Sequence, residues 1–184
     1  MASYREIYIK KQVEALRDNP KIVALWEGGS AATGSTDQYS DLDLNALCAC
    51  ETDEAFGLME AVMPPITHRY VEPAGPALRH RIYFHEGAPR HFTADIGVLS
   101  HNACEALKER MITERHGIPV VFFDDKGLIK PHSVNKVEWQ RRLENRAKEL
   151  EDALPIYVLQ VLKPLDRHQY TEAFAFYYLS LIHI

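Results

Sequence analysis

The sequence predicts an α/β fold: a small mixed β-sheet flanked by helices, followed by a helical C-terminal region. Three observations predict it. Short apolar or alternating runs recur up to about residue 125 and read as strands. Segments with apolar residues at three- and four-residue spacing stand among them, which is the order of an α/β domain. After Pro131 the strand pattern stops and helical spacing takes over. The expected division is therefore a sheet-bearing domain over residues 1–130 and a helical region over residues 131–184.

Residues 4–18 read as a helix with Ile9, Val13 and Leu16 on one face, stopped by Asn19-Pro20. Residues 21–27 form a first strand, and residues 41–50 a second. Between them lies a small, polar loop in which a short helix or turn after Ser30 would aim its first amides at a phosphate. Residues 53–63 are helical with Phe56, Met59 and Met63 inward, closed by Pro64-Pro65. Residues 64–78 hold four prolines and predict an irregular surface loop. Residues 79–87 and 90–99 predict a hairpin turned at Glu86-Gly87-Ala88-Pro89. Its second strand puts Phe92, Ala94, Ile96 and Val98 on an apolar face and His91, Thr93 and Asp95 on a polar one.

Residues 102–115 predict one helix, and residues 119–124 a fifth, well-buried strand. Asp124-Asp125-Lys126-Gly127 is a turn by composition. Residues 135–154 form an amphipathic helix with Trp139, Leu143, Ala147, Leu150 and Leu154 on one stripe. A short helix over 156–163 and an increasingly apolar, aromatic helix over 166–184 follow. That last helix has few polar positions, so it calls for a partner: more chain of a truncated C-terminal domain, a homodimer, or another protein.

The chemistry concentrates in Trp26–Leu47. An apolar strand runs into Gly28-Gly29-Ser30, and a polar loop ends in Asp41-Leu42-Asp43-Leu44. Alternation along a strand points Asp41 and Asp43 the same way and Leu42 and Leu44 the other. Two like charges so close call for compensation, most simply by a hard cation that takes oxygen ligands. Glycines let a backbone approach a ligand closely, and the Ser30 hydroxyl with nearby amides can hold phosphate oxygens. A phosphate site beside a metal site implies phosphoryl or nucleotidyl transfer. The competing reading is an Asp-rich turn entering an edge strand.

Gly29-Ser30, ten intervening residues and then Asp41-Leu42-Asp43 resemble the signature of the nucleotidyltransferase superfamily with the DNA polymerase beta fold. Among its small bacterial members, the Ser-Asp-Leu-Asp-Leu ending is similar to that of the aminoglycoside and lincosamide nucleotidyltransferases. The resemblance implies a nucleotidyltransferase fold and transfer of a nucleoside monophosphate, AMP by preference, from a nucleoside triphosphate to an acceptor hydroxyl. It implies ATP or another NTP as co-substrate, bound by Gly29 and Ser30. It implies two Mg²⁺ ions held by Asp41 and Asp43, with Asp95 as the third carboxylate from a later strand. Asp95 could also take the acceptor's proton. A solvent-facing Asp on an edge strand is the alternative for that residue. A small-molecule acceptor such as an antibiotic fits the resemblance best. The rival readings are an antitoxin-like or regulatory protein of the same fold, and a nucleotide-binding module without turnover.

Other candidates are weaker. Arg79 and Arg81 share a face and could reach phosphates, though a charged strand edge explains them as well. His80, His85 and His91 lack the spacing of a metal site. Cys48 and Cys50 stand opposite the aspartates without a second pair, which predicts packing rather than zinc. A net charge of −5 argues against general nucleic-acid binding. No apolar run long enough to span a membrane exists, the N-terminus lacks a signal-peptide core, and three cysteines make no disulfide framework, so a cytoplasmic location is expected.

Overall fold

The computed structural model describes residues 3–73 and 78–183. It divides into two compact units, residues 1–133 and 134–184.

The first unit opens with α1 (Tyr4–Leu16). Ser3 caps it: its hydroxyl accepts from the Glu6 amide while the Glu6 carboxylate accepts from the Ser3 amide, so two otherwise orphaned donors are satisfied. β1 (Ile22–Glu27) follows, then the one-turn α2 (Gly29–Thr33) and β2 (Leu42–Cys48). α3 (Thr52–Glu60), β3 (Ile66–Val71), β4 (Leu78–His85) and β5 (Ala94–Ser100) come next. The unit ends with α4 (Cys104–Arg110), α5 (Thr113–His116) and β6 (Val120–Asp124).

The six strands form one sheet in the order β3-β4-β5-β2-β1-β6. Only β2 and β5 run parallel; the other pairs are antiparallel, so the sheet is mixed, as expected. One face carries Leu42, Leu44 and Ala46 of β2 with Ala94, Ile96 and Val98 of β5. Tyr8 and Leu16 of α1 and Phe56 and Met59 of α3 close over it. Each fully buried leucine or isoleucine there contributes about 2 kcal/mol. The other face carries Ala24, Trp26, Leu47 and Leu99, covered by Met111, Ala106 and Leu107 from α4 and its end. Cys48 sits in the first of these cores as a free thiol, its Sγ donating to the Cys50 carbonyl at 3.2 Å, so the pair packs as expected. Burial pushes the Cys48 thiol up to about 11.

Three expectations for this unit are corrected. Residues 66–71 form the edge strand β3 within the proline-rich stretch read as a loop. All six side chains are exposed, so no inside-outside alternation marks it; residues 74–77 of that stretch lie outside the described residues. The single helix expected over 102–115 is two, because the chain breaks at Met111 and Ile112, which turn into the core, and Ile112 bridges His132. The strand over 120–124 is the sixth, not the fifth, and sits at the sheet's other edge with Val120 and Val121 exposed.

The second unit is a helix pair, α6 (Lys136–Asp166) and α7 (Tyr170–His183). α6 runs through Pro155 and Pro164 without stopping, so the two helices expected over 135–154 and 156–163 are one. Asn135 caps it, accepting from the amides of Val137 and Glu138. Leu154, Val158, Leu162 and Tyr177 line an apolar groove of about 230 Å³ on this pair. Among the described residues no helix is long and apolar enough to cross a membrane.

Candidate functional site

The pairing of β2 with β5 decides what the site contains. In that parallel register Asp43 stands beside Asp95, and Asn45 beside Gly97. Neighbouring strands lie about 4.8 Å apart, so carboxylates from residues 52 positions apart in sequence rise from adjacent points of one face. β4 adds His80, opposite Gly97, and β1 adds Trp26, opposite Asn45. A cavity of about 60 Å³ forms over these residues. Gly28 and Gly29 wall one part of it, and Arg110, His116 and Pro119 another.

One glycine of this turn is required by geometry. Gly29 has φ +51°, and a Cβ there would stand 1.8 Å from Asp43 Oδ2. The turn lies directly on the carboxylate. The Gly28 amide donates to the Asp43 carbonyl at 2.9 Å, fixing the turn to β2. The amides of Gly29 and Ser30 open α2 and precede any partner inside the helix. Ser30 itself stands in the first turn of α2, its Oγ 3.4 Å from Thr36 Oγ1, and is not a wall of the cavity. Gly97 plays a second role: a Cβ there would stand 2.5 Å from Asn45 Oδ1 and 3.0 Å from His80 Nε2. Its bare backbone makes room for both side chains.

Asp41 lies just before β2 and is exposed. Its carbonyl accepts from Arg5 Nη1 at 2.5 Å, and the same guanidinium pairs with the buried carboxylate of Glu27. The structure thus brings together Gly29, Asp43 and Asp95, leaves Asp41 exposed just before β2 and off the cavity's walls, and leaves Ser30 beside the turn.

The acidic cluster is under-compensated. Burial holds the Asp43 carboxyl above the ordinary range, and the charges of Asp41 and Asp95 push it further the same way, against Arg5 and His80. Burial likewise raises Glu27, with Asp43 adding to it and Arg5 opposing. His80 Nδ1 lies 2.8 Å from Asp95 Oδ1, yet the contact lacks hydrogen-bond geometry, and that oxygen is buried with no hydrogen-bond partner. Among the described residues no set of three or more His, Cys, Asp or Glu side chains is gathered tightly enough to hold a metal ion by itself.

No family model and no curated protein matches this chain. Solved structures similar to it include the spectinomycin adenyltransferase AAD(9) from Enterococcus faecialis with ATP and spectinomycin, at 12% identity and a TM-score of 0.37, covering 85% of this chain and 72% of that one. JHP933 from Helicobacter pylori is similar at 13% identity and a TM-score of 0.37, covering 96% and 78%.

Several wall residues carry no sequence signal. His80, His85 and His91 stand near one another in the sequence, but the three part ways in the fold. His85 is buried on Tyr8 and Tyr83 with Nδ1 3.1 Å from the Pro64 carbonyl, and His91 packs on Tyr39. Only His80 faces Asp95, and it does so through the β4–β5 register, which sets it opposite Gly97 and which local sequence does not reveal. Arg110 and His116 arrive from α4 and α5, where no local pattern marks them. Burial lowers the pKa of both. Arg79 and Arg81 lie on the opposite sheet face from Asp95, in register with Val98 and Ile96. Arg81 is committed there: it pairs with Glu60 at 2.9 Å and Asp53 at 2.5 Å and covers the Phe56 ring at 4.0 Å. Neither reaches the cleft.

Proposed function

We propose that the cleft is the nucleotide and metal centre of a nucleotidyltransferase that moves a nucleoside monophosphate, AMP by preference, from an NTP to an acceptor hydroxyl. One observation carries the reading: Asp43 and Asp95 stand in register on adjacent parallel strands beneath the Gly28-Gly29 turn, with Asp95 Oδ1 buried and lacking a donor.

The donor set suits magnesium by kind. All its charged ligands are oxygens, and Asp43 is destabilised as an anion by burial and by its acidic neighbours. Mg²⁺ is ordinarily held by one or two carboxylates together with substrate phosphates and water, not by an all-protein cage. Asp43 and Asp95 would hold the metal, with the exposed Asp41, whose charge acts on Asp43, available to a second ion. Bound there, magnesium would draw charge from phosphate oxygens and lower the pKa of the acceptor hydroxyl.

The chain's own residues supply position and proton handling. Gly29 removes the side chain that would bar a phosphate from the carboxylates, and the amides of Gly29 and Ser30 offer it donors. The cavity is walled by Gly29, Asp43 and Asp95, so it would take the phosphate end of the nucleotide. Asp95, with an oxygen that receives no hydrogen bond, can also take the hydroxyl proton. A small-molecule acceptor such as an antibiotic is the class favoured here, because a net charge of −5 offers little for a long polyanion.

Purified protein given Mg²⁺, labelled ATP and a panel of hydroxyl acceptors should release pyrophosphate, and Asp43→Asn should abolish the release. Turnover undiminished in that variant would remove the mechanism. Nucleotide binding with no release across the panel would instead favour a module without turnover.

A further inference from the structure

We propose that Arg110 grips the polyphosphate of the incoming nucleotide and that His80 holds it ready. The inference rests on the nucleotide reading of the cleft and adds a residue to it. Arg110 ends α4 and reaches the cavity whose other walls include Gly29, Asp43 and Asp95. Its neighbour Met111 is buried in the core, which anchors the helix end and sets the direction of the guanidinium.

Arg110 has one hydrogen-bond partner among the described residues, His80 Nε2 at 3.3 Å, and makes no ion pair there. That is unusual for a half-buried guanidinium sharing a cavity with two carboxylates, since such a group ordinarily closes onto a carboxylate in a two-pronged contact. His80 prevents it by standing between: its Nδ1 faces Asp95 and its Nε2 faces Arg110. A guanidinium can only donate, so Nε2 accepts in that contact. Gly97 leaves the room that this ring position needs.

Arg110 therefore keeps most of its five N–H donors unspent inside the cleft. The cavity's own acids are already adjacent and do not take them. An anion that enters with a cation can do so: phosphate oxygens bound to a metal at Asp43 and Asp95 would present negative charge to the guanidinium. Burial disfavours the charged guanidinium in the free protein, which makes an anionic partner more valuable there than at the surface. The chemical class recognised is a polyphosphate chain, independent of the base.

The test is calorimetric titration of the full chain with Mg²⁺ and either ATP, inorganic triphosphate or adenosine. Arg110→Met should weaken ATP and inorganic triphosphate about 10- to 100-fold, as loss of a charged hydrogen-bonding group does, and leave adenosine unchanged. Arg110→Lys, which keeps charge but not the fork, should fall between and carries the test if the Met variant is unfolded by circular dichroism. Equal loss of all three ligands would show a merely structural residue and overturn the proposal. Undiminished triphosphate binding in both variants would overturn it while leaving the nucleotidyltransferase reading intact. Failure of the unmutated chain to bind either ATP or triphosphate would overturn both.

Discussion

Gly29→Ala tests whether the glycine turn and Asp43 form one device. Ordinary van der Waals contact begins near 3.4 Å, and the new Cβ would stand 1.8 Å from Asp43 Oδ2 and 2.4 Å from its Cγ. One of the two must move by roughly 1.6 Å, a van der Waals overlap that no packed interior tolerates in place. The backbone adds its own cost, because φ +51° is a left-handed conformation that alanine occupies at about 1–2 kcal/mol. Gly34→Ala is the matching control: φ is +70° and nothing lies within 4 Å of the added Cβ. It should carry the backbone cost alone, about 1 kcal/mol, or a fall of about 2–4 °C in Tm.

Gly29→Ala should fall at least as far in Tm. It should also cut pyrophosphate release by about 100-fold or more, since misplacing a reacting group by an ångström costs that much. Gly34→Ala should leave release within about twofold of the unmutated rate, as expected of a residue away from the reacting groups. The assays are thermal melting and pyrophosphate release under saturating Mg²⁺-ATP. If the two alanine variants match each other in both, the contact between turn and carboxylate is idle and the reasoning fails.

Asp43→Asn should make the metal-free protein more stable at neutral pH. Burial and the neighbouring acids raise the Asp43 carboxyl, so the folded chain keeps a proton that the unfolded chain sheds, and stability falls as pH rises from about 4 through the folded value; urea melts at pH 4 and pH 7 should show a smaller fall in the variant. Gly97→Ala has no backbone penalty but drives a Cβ to 2.5 Å from Asn45 Oδ1 and 3.0 Å from His80 Nε2, so it should lower ATP affinity by about tenfold, read by calorimetry, as loss of a well-placed charged contact would. Glu60→Gln should cost about 1–3 kcal/mol by urea melts, because Glu60 Oε1 accepts from Arg69, Arg81 and Tyr83. Burial works to raise the Glu60 carboxyl, but those three donors prevail and hold it low; its contribution is complete above the unfolded value near 4.3 and disappears as pH falls through the folded one, so the gap between the two proteins should close in acid.

What the sequence could show, it showed through periodicity. The alternation in β2 and β5 identified both the inward leucines and the outward aspartates, because a strand's two-residue repeat maps sequence directly onto faces. It could not show that Asp43 and Asp95 are neighbours: that follows from a parallel register set by the whole sheet. The edge strand β3 was hidden because exposure removed its pattern. Arg110 and His116 were hidden for the converse reason. Each sits near a helix end where charged residues are common, and only the break at Met111 turns them toward the sheet.

The cleft as a whole is arranged so that a ligand relieves what the protein alone cannot. Acids gather on one side, and Asp43 is held above its ordinary range by burial and by its neighbours. A guanidinium stands on the other side, likewise disfavoured in its charged form by burial. In the simplest arrangement these opposite charges would cancel by closing on each other, and the site would be a salt bridge. His80 and the bare backbone of Gly97 keep them apart. The separation has a cost in stability, because two unsatisfied groups of opposite sign are retained in a partly dry pocket. A metal polyphosphate carries positive charge at one end of its contact and negative charge at the other, so it satisfies both groups at once. Thermal stabilisation by Mg²⁺ and ATP together should therefore exceed the sum of the shifts each gives alone, and a purely additive response would mean that the acids and Arg110 act as separate, unrelated features of the fold.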